Sequence, residues 1–459
     1  MMHINSNSQR KNGYIRLYVL ALLAGLWTSA LHAQESLKIA PPGASAALTL
    51  DEAMRLAYSH TYGRQSVEQD QLGSQARQTG IRGGMGPKLT VEAARGWIDT
   101  DVNKLAGKTL PTGQRYPDEI SSVGVVVTQP ITQIFAARER LNAEEKLEDS
   151  LKSQLQVEGN EAKLRGAEAY IQALKALRFL AINLESQDLI LKQKKDAKSL
   201  RSSGKLSELD YSRFELAASE ANSLVIDAEA RIKVAGAALR EDLGLAPDQE
   251  LQLSELGEIG AIPGAAAIER AELQSATRRV EAAEGQLKAQ KVDYWPQVNA
   301  YARFGRDFAA EDVNVNFLGL AINLPKEDFR DQFSYGFNLQ WDIWDWGTRS
   351  GRRAELGTQV SKARISHDAL ASRLRIETSQ ADAEWNRATQ NLKNAQIADK
   401  LSADILKSFD IRFRNGLATT TDLLSIQRDR TRAQANLANA TYDLHWALLK
   451  KKRAEGGIL

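Results

Sequence analysis

The stretch SYGFNLQWDIWDWGTRSGRR, residues 334–353, decides the fold. Three tryptophans fall within six residues, after a run that alternates apolar and polar side chains. Tyr335, Phe337, Leu339, Trp341 and Ile343 fall on one face, and Gly336, Asn338, Gln340 and Asp342 on the other. That period of two predicts a strand over YGFNLQWDIW with one greasy face and one wet face. From about Gly347 the chain turns polar, and a helical pattern continues to about Arg412. No stretch after the first 33 residues is long and apolar enough to span a bilayer as a helix, so if the chain enters a membrane it must do so as a barrel.

Working outward, the same order recurs. PQVNAYARFG reads as the preceding strand, after a helix from about Ile268 to Tyr294, with a charged loop over about 306–333. In the first half a helix starts at LTLDEAMRLA, where Thr49 is an expected N-cap with Glu52 three residues on. It runs to the glycine cluster GIRGGMGP, which reads as a hinge before Pro87; a phosphate loop is excluded by the missing Gly-Lys-Ser/Thr ending. Strands follow at KLTVEAARGW, with Leu89 and Val91 on one face, and at SSVGVVVTQPI, with Val123, Val125 and Val127 on one face. A loop of about 98–120 lies between them. A helix then covers about Gln133 to Leu200, roughly 100 Å at 1.5 Å per residue.

The tips of two helical hairpins match in register. Gly204 and Asp210 are six residues apart, as are Gly416 and Asp422, and both pairs are offset by 212 residues between halves. Pro130 and Asp342 share that offset, and Pro87 and Pro296 differ by 209. The chain is thus expected to carry two repeats, 49–244 and 268–453, joined by a connector at 245–267 and followed by a tail at 454–459. Ahead of them, Arg10, Lys11, Arg16 and the run LYVLALLAGLW, then small residues to Ala33, read as a signal peptide over 1–33, with a linker at 34–48.

Composition excludes several classes. The chain has no cysteine, so disulfides and thiolate chemistry are out, and its five histidines show no ligand spacing; no metal and no cofactor are expected. Net charge is +2, and losing three basic residues with the signal would make it −1, which leaves no basic surplus for nucleic acid. Paired acids such as Glu144 and Glu145 sit on charged helical faces and suggest no catalysis.

LTLDEAMRLA, VDYWPQV, FNLQWDIWDWGTRSGRRAE and FRNGLATTTDLLSIQ, in that order within a duplicated pattern, resemble the TolC-like outer-membrane efflux and secretion channels over about 45–453. The resemblance implies an all-α periplasmic tunnel plus four barrel strands per chain. It further implies a homotrimer with a 12-stranded barrel in the outer membrane of a Gram-negative bacterium. The implied role is the exit duct of an efflux pump or type I secretion system, partnered by a periplasmic adaptor, an inner-membrane transporter and outer-membrane lipid. Four strands cannot close a barrel alone, which independently calls for copies of the same chain.

The resemblance places Asp210 and Asp422 at the periplasmic aperture, and Gly204, Lys205, Leu206, Gly416, Leu417 and Ala418 where the adaptor docks. Well-known members carry an arginine where this chain has Ala418, and an apolar residue is common where it has Lys205, so a lock here needs other partners. The plain alternative for both tips is a helix turn with a Ser or Thr cap. Trp97, Trp295, Trp341, Trp344 and Trp346 flank strands, as interfacial aromatics do, while Leu89, Val91, Val123, Val125, Val127, Phe337 and Leu339 are expected to face lipid. Two other readings are a periplasmic adaptor, which needs a β-sandwich, and a coiled-coil adhesin or structural fibre, which needs sustained heptads.

Overall fold

The computed structural model describes residues 48–97, 119–249, 251–257, 259, 270–309, 313–317, 320–324 and 330–457. The expected signal peptide, all but the last residue of the linker, most of the 98–120 loop, and parts of the connector and of 306–333 lie outside them. In chain order the elements are α1 (Leu50–His60), α2 (Tyr62–Met85), β1 (Lys88–Trp97), β2 (Glu119–Pro130), α3 (Thr132–Ser202) and α4 (Glu208–Leu243). Then come α5 (Ala271–Ala289), a 3-10 turn (Gln290–Tyr294), β3 (Gln297–Ala309), β4 (Val313–Phe317), β5 (Leu320–Leu324), β6 (Arg330–Gln340), α6 (Thr348–Arg414) and α7 (Thr420–Ala454).

Two continuous helices, α3 of 71 residues and α6 of 67, set the length, about 100 Å each. Neither contains proline, and alanine is the commonest residue at their buried positions, which lets neighbours approach closely. Shorter helices pack against them: α1, α2, α4, α5 and α7 against α3, and α5 and α7 against α6. A methyl group on Gly166 of α3 would run into Ala57 and the Ala53 carbonyl, so glycine is what seats α1 there. Thr49 caps α1 through the Glu52 N–H at 3.3 Å.

The helix expected over 49–86 is broken. Thr61 adopts φ −61°, ψ 127°, and separates α1 from α2. The Arg165 guanidinium donates to its hydroxyl at 2.9 Å, a contact from the neighbouring helix that the local sequence does not announce.

The core is a series of seams. The largest gathers Ala53, Ala57, Tyr170, Ile171, Leu174, Leu239, Leu243, Tyr442 and Leu449 where α1, α3, α4 and α7 converge. A second, near the hairpin tips, joins Ala197, Tyr211, Phe214, Phe413, Leu423 and Leu424.

The sheet is a four-stranded antiparallel meander, β1-β2-β3-β6, with β4 and β5 as a separate hairpin inside the span expected to be loop. Cross-strand partners share a face. Leu89–Val127–Ala302–Tyr335 and Val91–Val125–Phe304–Phe333 are two such rows. Among the described residues no helix is long and apolar enough to cross a membrane.

Candidate functional site

Two places stand out: the hairpin tips and the rim where sheet meets helices. At the first tip Gly204 takes φ +71°, and the Lys205 N–H closes the turn on the Leu200 carbonyl at 2.9 Å. At the second, Gly416 takes φ +71°, and the Leu417 N–H reaches the Arg412 carbonyl at 2.8 Å. Both glycines occupy the left-handed region that a side chain would strain.

Each tip aspartate belongs to a helix cap. The Asp422 N–H donates to Thr419 Oγ1 at 3.2 Å, while Asp422 Oδ2 accepts from the Thr419 N–H and hydroxyl at 3.2 and 2.7 Å. Asp210 does the same with Ser207, its N–H donating at 3.1 Å and its carboxylate accepting from the hydroxyl at 2.7 Å. Asp422 is exposed and Asp210 half-buried. Gly204, Lys205, Gly416 and Leu417 are exposed, whereas Leu206 and Ala418 pack inward on the tip cluster.

Arg213 is the tip side chain that sequence reasoning missed. Its Nη1 lies 3.2 Å from Asp210 Oδ1 and 2.7 Å from Thr421 Oγ1, so a single cation ties the first tip to the second. Its signal was available, since Arg213 stands one helical turn past Asp210, whereas the matching position after Asp422 is Ser425. Beneath it Phe214 and Phe413 meet edge to face, centroids 5.9 Å apart. A groove of about 490 Å³ runs from here between α4 and α7, lined by Leu216, Leu224, Leu424, Gln427, Arg428 and Arg432 among others.

At the rim, one face of the sheet is apolar and bare. Leu89, Val91, Phe337 and Leu339 are 64–76% exposed, and Val123, Val125 and Val127 stand on the same face. Its upper row ends in the bidentate pair Arg306–Asp331, at 2.6 and 3.0 Å. The opposite face carries Glu92 and Arg303, 3.9 Å apart, and the glycines Gly124, Gly305 and Gly336. One face suits hydrocarbon and the other suits water.

Trp295, Trp341, Trp344 and Trp346 gather at the helical end of the sheet, where β3 begins and β6 ends; Trp97 closes β1 at the far end, and its side chain lies outside the description. Strand β6 stops at Gln340, short of the expected Trp344, because its partner β3 begins at Gln297, after Pro296. Beyond it, Trp341–Gly347 form a stapled turn. The Arg349 guanidinium donates to Asp345 Oδ2 at 2.6 Å and to the Asp293 carbonyl at 3.2 Å, and it also holds the Asp342 carbonyl. Trp346 at φ +55° and Gly347 at φ +91° reverse the chain into α6.

A sheet with one bare apolar face, standing on coiled helices about 100 Å long, defines the class: a TolC-like outer-membrane channel fold. Residues 262–454 match the family model described as outer membrane efflux protein. The chain is similar in structure to the outer membrane protein VceC of Vibrio cholerae, at 15% identity, 89% of this chain and 96% of that chain covered, and a TM-score of 0.74. The Campylobacter jejuni outer membrane channel CmeC gives 13% identity, coverage of 89% and 85%, and 0.74. The open state of the Neisseria gonorrhoeae outer membrane channel MtrE gives 13%, 93% and 97%, and 0.70. No curated protein matches the chain in sequence. The chain thus shares the fold of these outer-membrane channels over 89–93% of its length, and the outer membrane efflux protein family model matches only part of its second half.

Proposed function

We propose that this chain, built from repeats 49–244 and 268–453, is the exit duct of a tripartite efflux pump or type I secretion system. Three copies close a barrel of twelve strands, and their helices extend it as a periplasmic tunnel. The tips receive a periplasmic adaptor, which joins the duct to an inner-membrane transporter. The observation that carries this reading is the four-stranded sheet, one face of which is apolar and whose edges β1 and β6 have no partner strand among the described residues. Unpaired edges in a membrane are untenable, so copies of the chain must supply the missing strands.

In this reading Asp210 and Asp422 line the periplasmic aperture and favour cations, and Gly204, Lys205, Gly416 and Leu417 face the adaptor, with Leu206 and Ala418 supporting them. Arg213 takes the constraining role that the arginine missing at position 418 would have had. The aromatics Trp295, Trp341, Trp344 and Trp346 mark the periplasmic boundary of the membrane, with Trp97 toward the outer one.

Planar-bilayer recordings test the reading. Asp210→Ala with Asp422→Ala should lower cation selectivity, and Arg213→Ala should raise conductance. Unchanged selectivity sinks the acidic aperture, and recovery of the native protein in the soluble periplasmic fraction sinks the duct.

A further inference from the structure

We propose that the tryptophan turn after β6 is a subunit seam: Trp344 and Trp346 of one copy pack on the segment that precedes β1 of the next. The inference rests on the three-copy duct.

The two edge strands of the sheet run in opposite directions. Strand β6 descends toward the helices and β1 rises from them, so β6 beside the next copy's β1 is antiparallel, like the three pairs within the chain. That pairing sets Trp341–Gly347, which follow β6, against residues 83–87, which precede β1.

The chain already contains this junction once, between β2 and β3. There the Ile131 N–H donates to the Val298 carbonyl at 2.9 Å, and Thr132 Oγ1 donates to the Pro296 carbonyl at 2.8 Å. Phe135 and Trp295 close it edge to face, centroids 5.7 Å apart. Carrying the junction over by the repeat offsets replaces Thr132 by Trp344, Phe135 by Gly347, Trp295 by Gly86 and Pro296 by Pro87. The bulk has changed sides. Inside the chain a large residue precedes the strand; at the open edge that place is glycine and the large residues follow the other strand.

The vacated side has room. A Cβ on Gly83 or Gly84 would meet nothing within 4 Å, and one on Gly86 would meet only the Gly83 carbonyl, at 3.5 Å. Trp344 and Trp346 are 73% and 90% exposed, stacked edge to face at 5.7 Å, and held outward by the Arg349 staple. The same offsets carry the pair Val127–Ala302 onto Leu339–Ala93, both on the apolar face, so parity across the seam is kept. Tryptophans crowd the second repeat because only its exit meets another copy.

The chain has no cysteine, so an introduced pair reports alone. In outer membranes, Trp344→Cys with Gly86→Cys should convert under oxidant from monomers to covalent dimers and trimers on denaturing gels, and each single variant should not. Trp346→Cys with Gly83→Cys is the second pair. Gly86 has extended backbone, φ −82° and ψ 171°, and accepts any side chain. Trp344→Gly should therefore lose the heat resistance of the assembled trimer, and adding Gly86→Trp should restore it. A trimer by native mass with neither cross-link nor rescue overturns the seam and leaves the duct intact. A chain that forms no trimer overturns the three-copy duct, and the seam with it.

Discussion

Two places along the helices join short elements against a long one, and opposite chemistries hold them. Where α4 meets α1, the join is apolar: Ala53, Ala57, Leu239 and Leu243 surround Tyr170, which is fully buried. The Tyr170 hydroxyl sits 2.7 Å from the Leu48 carbonyl and 2.6 Å from that of Ser254, and donates to one at a time. Where α7 meets α5, the join is ionic. Arg453 reaches Glu161 and Glu377 at 3.0 and 3.1 Å, and Arg270 reaches Glu272 and Glu377 at 2.8 and 3.1 Å. Excluded area stabilises the first join, while the second depends on every member being paired. The two joins should therefore fail under different insults.

The largest effect is expected at the apolar join. Tyr170→Ala should cost about 3–5 kcal/mol, as truncating a buried aromatic does, read by denaturant unfolding of the solubilised protein. Tyr170→Phe keeps the ring and should cost only about 1–2 kcal/mol. Equal losses would show that the hydroxyl, not packing, holds this join. Burial pushes the Tyr170 and Tyr442 phenols up to about 12. A raised value favours the neutral form, so their contribution is complete below about pH 10 and is lost as pH climbs toward the folded value.

At the ionic join, Arg453→Met should cost about 1–3 kcal/mol, below the figure for a fully buried pair because Arg453 keeps some solvent contact. Burial alone would raise the Glu272 carboxyl, but Arg270, a backbone N–H and Arg453 outweigh it and hold it below its ordinary value. A lowered value favours the anion, so this contribution is complete above the unfolded carboxylate value of about 4.3 and is lost as pH falls through the lower folded one. Thermal unfolding across pH should show a steep acid limb that Glu272→Gln flattens while leaving the alkaline limb in place. An acid limb unaltered by that substitution would mean that other carboxylates carry it.

The contrast also explains what could be read in the sequence. The tips were legible because Gly204 and Gly416 mark left-handed turns, and Ser207 and Thr419 stand three residues before aspartates. The strands were legible through their period of two. That period misled at the end of β6, where alternation runs on through Trp341 and Ile343 although the partner strand has ended. The segments VNVNF and LAINL pair as a hairpin inside a span whose length and charge read as loop. The ionic join gathers side chains from α3, α6, α7 and the start of α5, so no local pattern could announce it.

The tips supply the smallest effects and the sharpest form of the comparison. Thr419→Ala and Ser207→Ala each remove one cap and should cost about 1 kcal/mol. Among the described contacts Asp422→Ala breaks a cap, whereas Asp210→Ala also releases Arg213 from the link to Thr421. In a double-mutant cycle, Asp210 and Arg213 should couple by about 0.5 kcal/mol, typical of an exposed pair one turn apart, and Asp422 with Arg213 by nothing measurable. Hydrogen exchange should follow the same split: Asp210→Ala speeds amides at both tips, Asp422→Ala only those of 419–423. Equal spread from both substitutions would mean that the tips are joined by the Phe214–Phe413 packing beneath them and that Arg213 ties nothing.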